Sequence, residues 1–346
     1  MSETALHWVG MDVAAETFDA ALARPGLRAD AETIRRLPAK TFARTPEGVQ
    51  ACVAWLREGL GKADPLPARA VMEATGRYSI ELTAMLCKAC PELRPAIANP
   101  QQTASHRDSL GLRNKTDRLD ARAMAFYGLE RRPEPHEPLS PQQAELRGLS
   151  RSRDGLMTSQ TAHANQLAQT PPSAVARKSL KRVIAHLERE IAKIEKEMRA
   201  VIQKNPDLKR DYDLLTTIPG VGFITAAVIL AEVGDLRRFG TSRQVAAFAG
   251  VTPGRKESGK CKRPGRMSKK GNGRIRQALY MASLSACVHN PQLHLVYARI
   301  TGRGKKAMMA LGAIMRKLIV LMRAIIVSGK PFNPCGKPCG ETPAHG

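Results

Sequence analysis

The sequence predicts a mixed α/β layer domain followed by an all-helical region, and three observations carry that reading. Short apolar runs ending in acids alternate with helical patterns up to residue 132. A proline-rich break runs from Arg132 to Pro141, and beyond it the apolar residues step by three and four. The chain has 346 residues, enough for two domains at roughly 100–200 residues each. The expected division is an α/β domain at 1–132, a helical linker or assembly region at 133–210, a second helical domain at 211–332 and a disordered tail at 333–346.

The first apolar run, Leu6 to Met11, ends in Asp12, and Thr17 to Leu22 follows at hairpin distance. Val49, Val53, Trp55, Leu56 and Leu60 give Pro46–Leu60 a helical spacing. Ala68 to Met72 reads as a strand ending in Glu73. A helix follows from about Ser79, and Arg94 to Ala98 forms another short strand before Asn99-Pro100. Strand ends in layered sheets open onto a crevice where ligands collect, so acids there matter.

Gly111 to Ala125 contains the start of a helix on which Asp117 and Asp120 stand three apart, on one face. Two carboxylates so placed repel unless a cation separates them, and a hard divalent ion such as Mg²⁺ takes carboxylate and water oxygens. Paired ions of that kind hold the attacking and leaving oxygens of a phosphodiester. Spacing alone also allows Asp117 to serve the helix dipole and Asp120 to pair with Arg113 or Arg122. Asp12 would then end its strand in a turn, and Glu73 would be a solvated acid.

Past the break, Leu180, Ile184, Leu187, Ile191, Ile194, Met198 and Val201 form the a/d seam of a coiled coil. Leu146, Leu149, Leu156 and Leu167 fit the repeat more loosely, so the two helices form an antiparallel hairpin or pair across subunits. Asn205-Pro206 ends the second helix. The stretch Ile218-Pro-Gly-Val-Gly222 between two apolar helices resembles a helix-hairpin-helix turn, with Gly220 and Gly222 admitting phosphate oxygens to backbone N–H groups. A plain helical hairpin with a glycine turn satisfies the same residues.

From Arg255 to Arg276 there are ten basic residues against the single acid Glu257, with four glycines and no aromatic residue. The expectation is a flexible cationic loop that grips phosphates through Arg255, Lys256, Lys260, Lys262, Arg263, Arg266, Lys269 and Lys270 without reading bases. Ser258 lies within it. A serine in such a loop is by default filler, although the cations around it would stabilise a transferring phosphoryl group.

Composition narrows the partners. With 55 Lys and Arg against 31 Asp and Glu the formal charge is +24. A charge of that size spread along a chain fits a long phosphate track, which makes nucleic acid the expected partner. Met1 to Gly10 lacks the pattern of an export signal, so a cytosolic protein is expected. Seven cysteines show no framework spacing and are expected as free thiols, and Cys87 with Cys90 and Cys335 with Cys339 lack the second pair that a structural zinc needs. The apolar run Ala307–Val327 carries Arg316, Lys317 and Arg323, which indicates a buried helix with a basic face and no membrane partner.

Taken in order, Gly10-Met-Asp12-Val-Ala, Glu73-Ala-Thr-Gly-Arg-Tyr78, Gly111-Leu-Arg-Asn-Lys-Thr-Asp117-Arg-Leu-Asp120-Ala, Ile-Pro-Gly-Val-Gly222, Phe-Ala-Gly-Val-Thr-Pro253 and Glu-Ser258-Gly resemble DEDD-type insertion-sequence transposases. The resemblance is to the insertion-sequence one-hundred-and-ten family, with its RNA-guided bridge recombinases, and it spans about residues 6 to 332. It implies a RuvC-like, ribonuclease H-type N-terminal domain in which Asp12, Glu73, Asp117 and Asp120 hold Mg²⁺ or Mn²⁺. It further implies that Ser258 attacks DNA, with acids of a partner subunit completing a composite site in a dimer or tetramer. Donor and target DNA and a noncoding bridge RNA are then partners, met at Arg113 and Lys115 as well as at the cationic loop, in a bacterial, nucleoid-associated protein. Two other classes stay open: a structure-selective junction nuclease using the same acids with water as nucleophile, and a binding protein needing only the basic loop and the glycine turn.

Overall fold

A computed structural model describes residues 6–28, 30–61, 66–112, 116–136, 139–170, 173–254, 256–258, 261–263, 267–268 and 270–334. The chain divides into two compact units, Met1–Pro138 and Leu139–Gly346.

The first unit is built on strands β1 (His7–Val13), β2 (Thr17–Ala23), β3 (Ala39–Ala43), β4 (Ala68–Glu73) and β5 (Ala96–Ala98), ordered β3-β2-β1-β4-β5. β1 to β3 form an antiparallel meander, whereas β4 and β5 run parallel to β1. Its helices are α1 (Ala31–Arg36), α2 (Pro46–Gly59), α3 (Arg77–Ala89), α4 (Pro100–Ser109) and α5 (Asp117–Arg131). The expected hairpin, both strands ending in acids and the helices near 46 and 79 all form. A mixed five-stranded sheet of this order is consistent with a ribonuclease H-type layer. Three elements escape the apolar pattern: α1, the edge strand β3 with its exposed Lys40 and Thr41, and the polar α4.

Both faces of the sheet are covered. On one side Val9, Met11 and Met72 pack with Val49, Cys52 and Leu56 of α2 and Leu82 and Leu86 of α3. On the other side Ala21 and Ala23 meet Ala121, Ala125 and Phe126 of α5. The approach of α5 is close enough that a Cβ on Gly10 would sit 2.0 Å from the Ala125 nitrogen and 2.1 Å from the Ala121 oxygen. Small residues on both surfaces therefore set the distance between β1 and α5.

The second unit contains α6 (Pro141–Gln169), α7 (Ala174–Lys204), α8 (Pro206–Thr216), α9 (Phe223–Val233), α10 (Ser242–Phe248), the strands β6 (Lys256–Ser258) and β7 (Cys261–Arg263), and α11 (Gly273–His289), α12 (Pro291–Gly302) and α13 (Ala307–Ser328). Arg153 reaches Glu195 at 2.7 Å and Gln160 reaches Glu188 at 3.1 Å, so α6 and α7 pair antiparallel within one chain. The seven seam positions of α7 are half-buried or buried. α13 buries Ile314, Leu318, Ile319 and Met322 in the helical core, while Arg323 donates to the Phe239 and Gly240 carbonyls. Among the described residues no helix is long and apolar enough to cross a membrane.

The basic segment departs from the expected loop. Lys256 to Ser258 pair antiparallel with Cys261 to Arg263, and Gly273 to Arg276 already belong to α11, so a short hairpin and a helix start replace much of the irregular chain. Lys-Glu-Ser paired with Cys-Lys-Arg offers almost no apolar side chain, which hides such strands from a periodicity argument.

Candidate active site

The four predicted acids all lie in the first unit. Parallel pairing of β1 and β4 sets Met11 opposite Met72, which brings Asp12 and Glu73 to the same end of neighbouring strands. Thr116 caps α5 by accepting from the Leu119 N–H, and this fixes Asp117 and Asp120 in the first turn. Because α5 lies tight against β1 at Gly10, that turn faces the Asp12 end of the sheet.

The electrostatics agree with this placement. Burial pushes the Asp12 carboxyl up, the charges of Asp120, Asp117 and Glu73 push it further, and the Val13 N–H bond opposes them, leaving it at about 6. All three other acids thus press on Asp12. Glu73 Oε2 accepts from the Thr103 hydroxyl at 2.7 Å, and Asp120 Oδ1 faces Arg107 Nη1 at 2.9 Å. Beside them Asp19, paired with Asp12 across the hairpin, accepts from Thr41 at 2.6 Å.

Four carboxylates without thiol or imidazole are a donor set suited to a hard divalent ion. The chemistry fits, yet among the described residues no three acids, histidines or cysteines gather closely enough to share one ion. Two of the four carboxylates are engaged by α4 instead.

Thr103 and Arg107 were not among the expected site residues, because α4 has no apolar stripe to announce it. The available signal was Asn99-Pro100: the Asn99 side chain accepts from the Gln101 N–H and Pro100 occupies the first helical position.

In the second unit Ser258 ends β6 opposite Cys261. The placement of its side chain, and of those of Lys256, Lys262 and Arg263, lies outside the described residues, as do Arg113, Lys115, Arg255, Lys260, Arg266, Lys269, Cys335 and Cys339. Lys270 is described and exposed. The two turn glycines differ in their surroundings. Gly220 has φ +97°, and its Cα side abuts the Ala286 backbone, where a Cβ would lie 2.6 Å away; Gly222 has open space around it. Gly220 is therefore required by its backbone angle and by packing on α11, and Gly222 is the one with room for a ligand. Arg199 stacks over Phe223 at 4.0 Å and brings a cation to the start of α9.

Behind this region Glu232, a carboxylate with no exposed side-chain surface, takes Arg151 Nε at 2.8 Å, Arg147 Nη2 at 3.3 Å and Asn272 Nδ2 at 2.9 Å. Asn272 in turn caps α11 through the Arg274 and Ile275 N–H groups. Sequence reasoning passed over Glu232, although a single acid inside the apolar helix Phe223–Val233 was a signal of a buried partner.

Comparison with known proteins agrees with this layout. Residues 9–170 match a family model described as a transposase of the DEDD, IS110 type, and residues 212–298 match the transposase IS116/IS110/IS902 family. The chain belongs to this transposase family. The pilin gene-inverting protein of Moraxella bovis is 27% identical over 340 residues, covering 96% of this chain and 98% of that protein. Its counterpart in Moraxella lacunata is equally similar. The transposase for insertion sequence element IS1111A of Coxiella burnetii is 30% identical over 197 residues, 48% of this chain and 53% of that one. As a member of the IS110 group this chain is a DNA transposase or recombinase, and the DEDD type depends in general on divalent metal.

Proposed function

We propose that this transposase exchanges DNA strands under the direction of a noncoding bridge RNA, with Asp12, Glu73, Asp117 and Asp120 as ligands for Mg²⁺ and Ser258 as nucleophile. The observation that carries the reading is the set of three acids, from β4 and α5, that converge electrostatically on the half-buried Asp12. A fold bears such repulsion where a cation relieves it. When bound, divalent ions would neutralise the phosphate that Ser258 approaches.

On this reading the N-terminal unit is a RuvC-like domain, and the α6–α7 hairpin serves as a coiled-coil spacer whose half-buried seam assists assembly into a dimer or tetramer. The glycine turn at Gly222 acts as a helix-hairpin-helix phosphate contact. The Ser258 hydroxyl gives up its proton as its oxygen bonds to phosphorus, and one DNA strand departs as an alcohol. Attack by another strand's hydroxyl re-forms a diester and returns the serine. The covalent phosphoserine keeps the bond energy needed for rejoining. With a composite site, the acids of one subunit serve the serine of another.

A charge of +24 together with a cationic segment free of aromatic residues supports backbone binding, with sequence choice delegated to an RNA. The test is Ser258→Ala. Covalent protein–DNA adducts and recombination should vanish while nucleic-acid binding persists, and retained recombination would refute the assignment. A junction nuclease using water would still cleave with Ala at 258. Sequencing the RNA that copurifies with the protein, and checking its pairing with the element's ends, tests the guide.

A further inference from the structure

Helix α4 holds two of the four acids at once. Thr103 and Arg107 stand four apart and so share one face of the helix; the first binds Glu73 from β4, the second Asp120 from α5. The Arg107–Asp120 pair is largely covered, with 25% and 16% of the two side chains exposed. A pair so placed is screened far less than a surface ion pair. The helix itself is mounted by directional bonds more than by apolar packing: its buried residues are Thr103 and His106, His106 Nε2 meets Glu130 at 2.9 Å, and Gln102 accepts from the Tyr127 hydroxyl at 3.1 Å.

We propose that Arg107 is an internal counter-ion, filling at Asp120 the electrostatic place of a divalent cation, so that cation binding is an exchange in which the guanidinium leaves. The inference rests on the four-acid reading above and deepens it. It accounts for two facts together: three acids in electrostatic reach of Asp12, and no three acids gathered on a common centre among the described residues. A guanidinium at 2.9 Å satisfies one carboxylate without drawing in the others, whereas a small dication at about 2.0–2.1 Å from each oxygen would draw several. Arg107 thereby offsets part of the repulsion that would drive the acids of the metal-free site apart, and sets the affinity at which a cation takes over.

The test is a calorimetric Mn²⁺ titration of the full-length chain without nucleic acid, comparing native protein, Arg107→Met, Arg107→Lys and Asp12→Asn. Methionine keeps length and helix propensity but removes the charge. Arg107→Met should bind Mn²⁺ about tenfold more tightly than native. Arg107→Lys keeps the charge and loses the fork, and should fall between the two; it decides the matter if the methionine variant does not fold. Asp12→Asn should lose the site. Unchanged or weaker binding by both Arg107 variants, with Asp12→Asn still inactive in binding, overturns the exchange and leaves the acid site standing. Tight binding that survives Asp12→Asn, or no binding by native protein, instead overturns the acid site and the exchange with it.

Discussion

The Thr103 hydroxyl donates to Glu73 Oε2 at 2.7 Å, so the position of one of the four proposed metal-binding acids, on β4, is fixed by a helix that follows it by some thirty residues. Thr103 is 5% exposed, and the Pro100 carbonyl lies 3.0 Å from the same hydroxyl oxygen, so its single proton points to the nearer acid while the oxygen sits between helix and strand. Thr103→Val keeps the shape and removes the donor. The loss should be about 1 kcal/mol of stability, the usual net worth of one hydrogen bond. Strand cleavage should slow by about tenfold, because a loosely oriented ligand weakens the site more than the fold. Thr103→Ser should restore cleavage, and a serine variant as slow as the valine one would show that the hydroxyl alone does not position Glu73. Thermal melts alongside cleavage rates on supercoiled plasmid separate the two effects.

Asp12 is destabilising where it stands. It is half-buried among three like charges, and its neutral form suits the metal-free fold better than its ionised form. Asp12→Asn imitates that neutral form with nearly the same volume. At neutral pH in chelator the variant should melt higher than native protein by several degrees, corresponding to about 1–3 kcal/mol. Adding Mg²⁺ or Mn²⁺ should raise the melting temperature of native protein and leave the variant unmoved. Equal melting of both in chelator would show that the acids do not press on one another in solution.

The parts of the first unit that hold Asp12 and Glu73 were legible because the strands are apolar and end in acids, a contrast that periodicity detects. Asp117 and Asp120 were legible through their spacing on one helical turn. Thr103 and Arg107 were not, since α4 is polar on every face and its role is to present hydroxyl and guanidinium groups rather than to fill a core. Glu232 was hidden for the opposite reason: the apolar helix around it reads as core, and its arginine partners lie about eighty residues away in sequence. The pairing of β6 with β7 rests on backbone bonds among Lys and Arg, which carry no hydrophobic signature.

Gly10 sets the gap between β1 and α5, and thereby the distance from Asp12 to the first turn of α5. A methyl group there would meet the Ala125 nitrogen and Ala121 oxygen at 2.0 and 2.1 Å, both backbone atoms that cannot rotate away. Gly10→Ala should cost at least about 1–3 kcal/mol, the range for overpacking, and should also weaken divalent-cation binding by moving α5 outward. Gly148, inside α6 with open space at its Cβ position, is the control. Gly148→Ala should stabilise by about 0.5–1 kcal/mol through helix propensity alone. Urea unfolding of the two variants gives both signs in one experiment, and a neutral result for Gly10→Ala would mean that the sheet and α5 are less closely apposed than described.

Glu232 makes the pH dependence of the second unit. Burial raises its carboxyl, but hydrogen bonds from Arg151 and Asn272 and the charges of Arg147 and Arg151 outweigh it, and the net position is below the ordinary glutamate value. A carboxyl depressed in the folded state contributes stability above its unfolded value, and loses it as the pH falls through the folded one. Glu232→Gln should therefore cost about 1.5–3 kcal/mol near pH 7, the worth of hydrogen bonds to a charged group, since the half-buried Arg147 and the partly exposed Arg151 lose a buried carboxylate partner. As the pH falls through the depressed folded value of Glu232, the native carboxyl itself becomes protonated and the difference should shrink toward zero. Because Asn272 caps α11 and leads out of the segment that carries Ser258, the same variant should loosen that exit. Hydrogen exchange at the first turn of α11 should rise in Glu232→Gln at neutral pH, and unchanged protection there would limit Glu232 to holding α6 against α9.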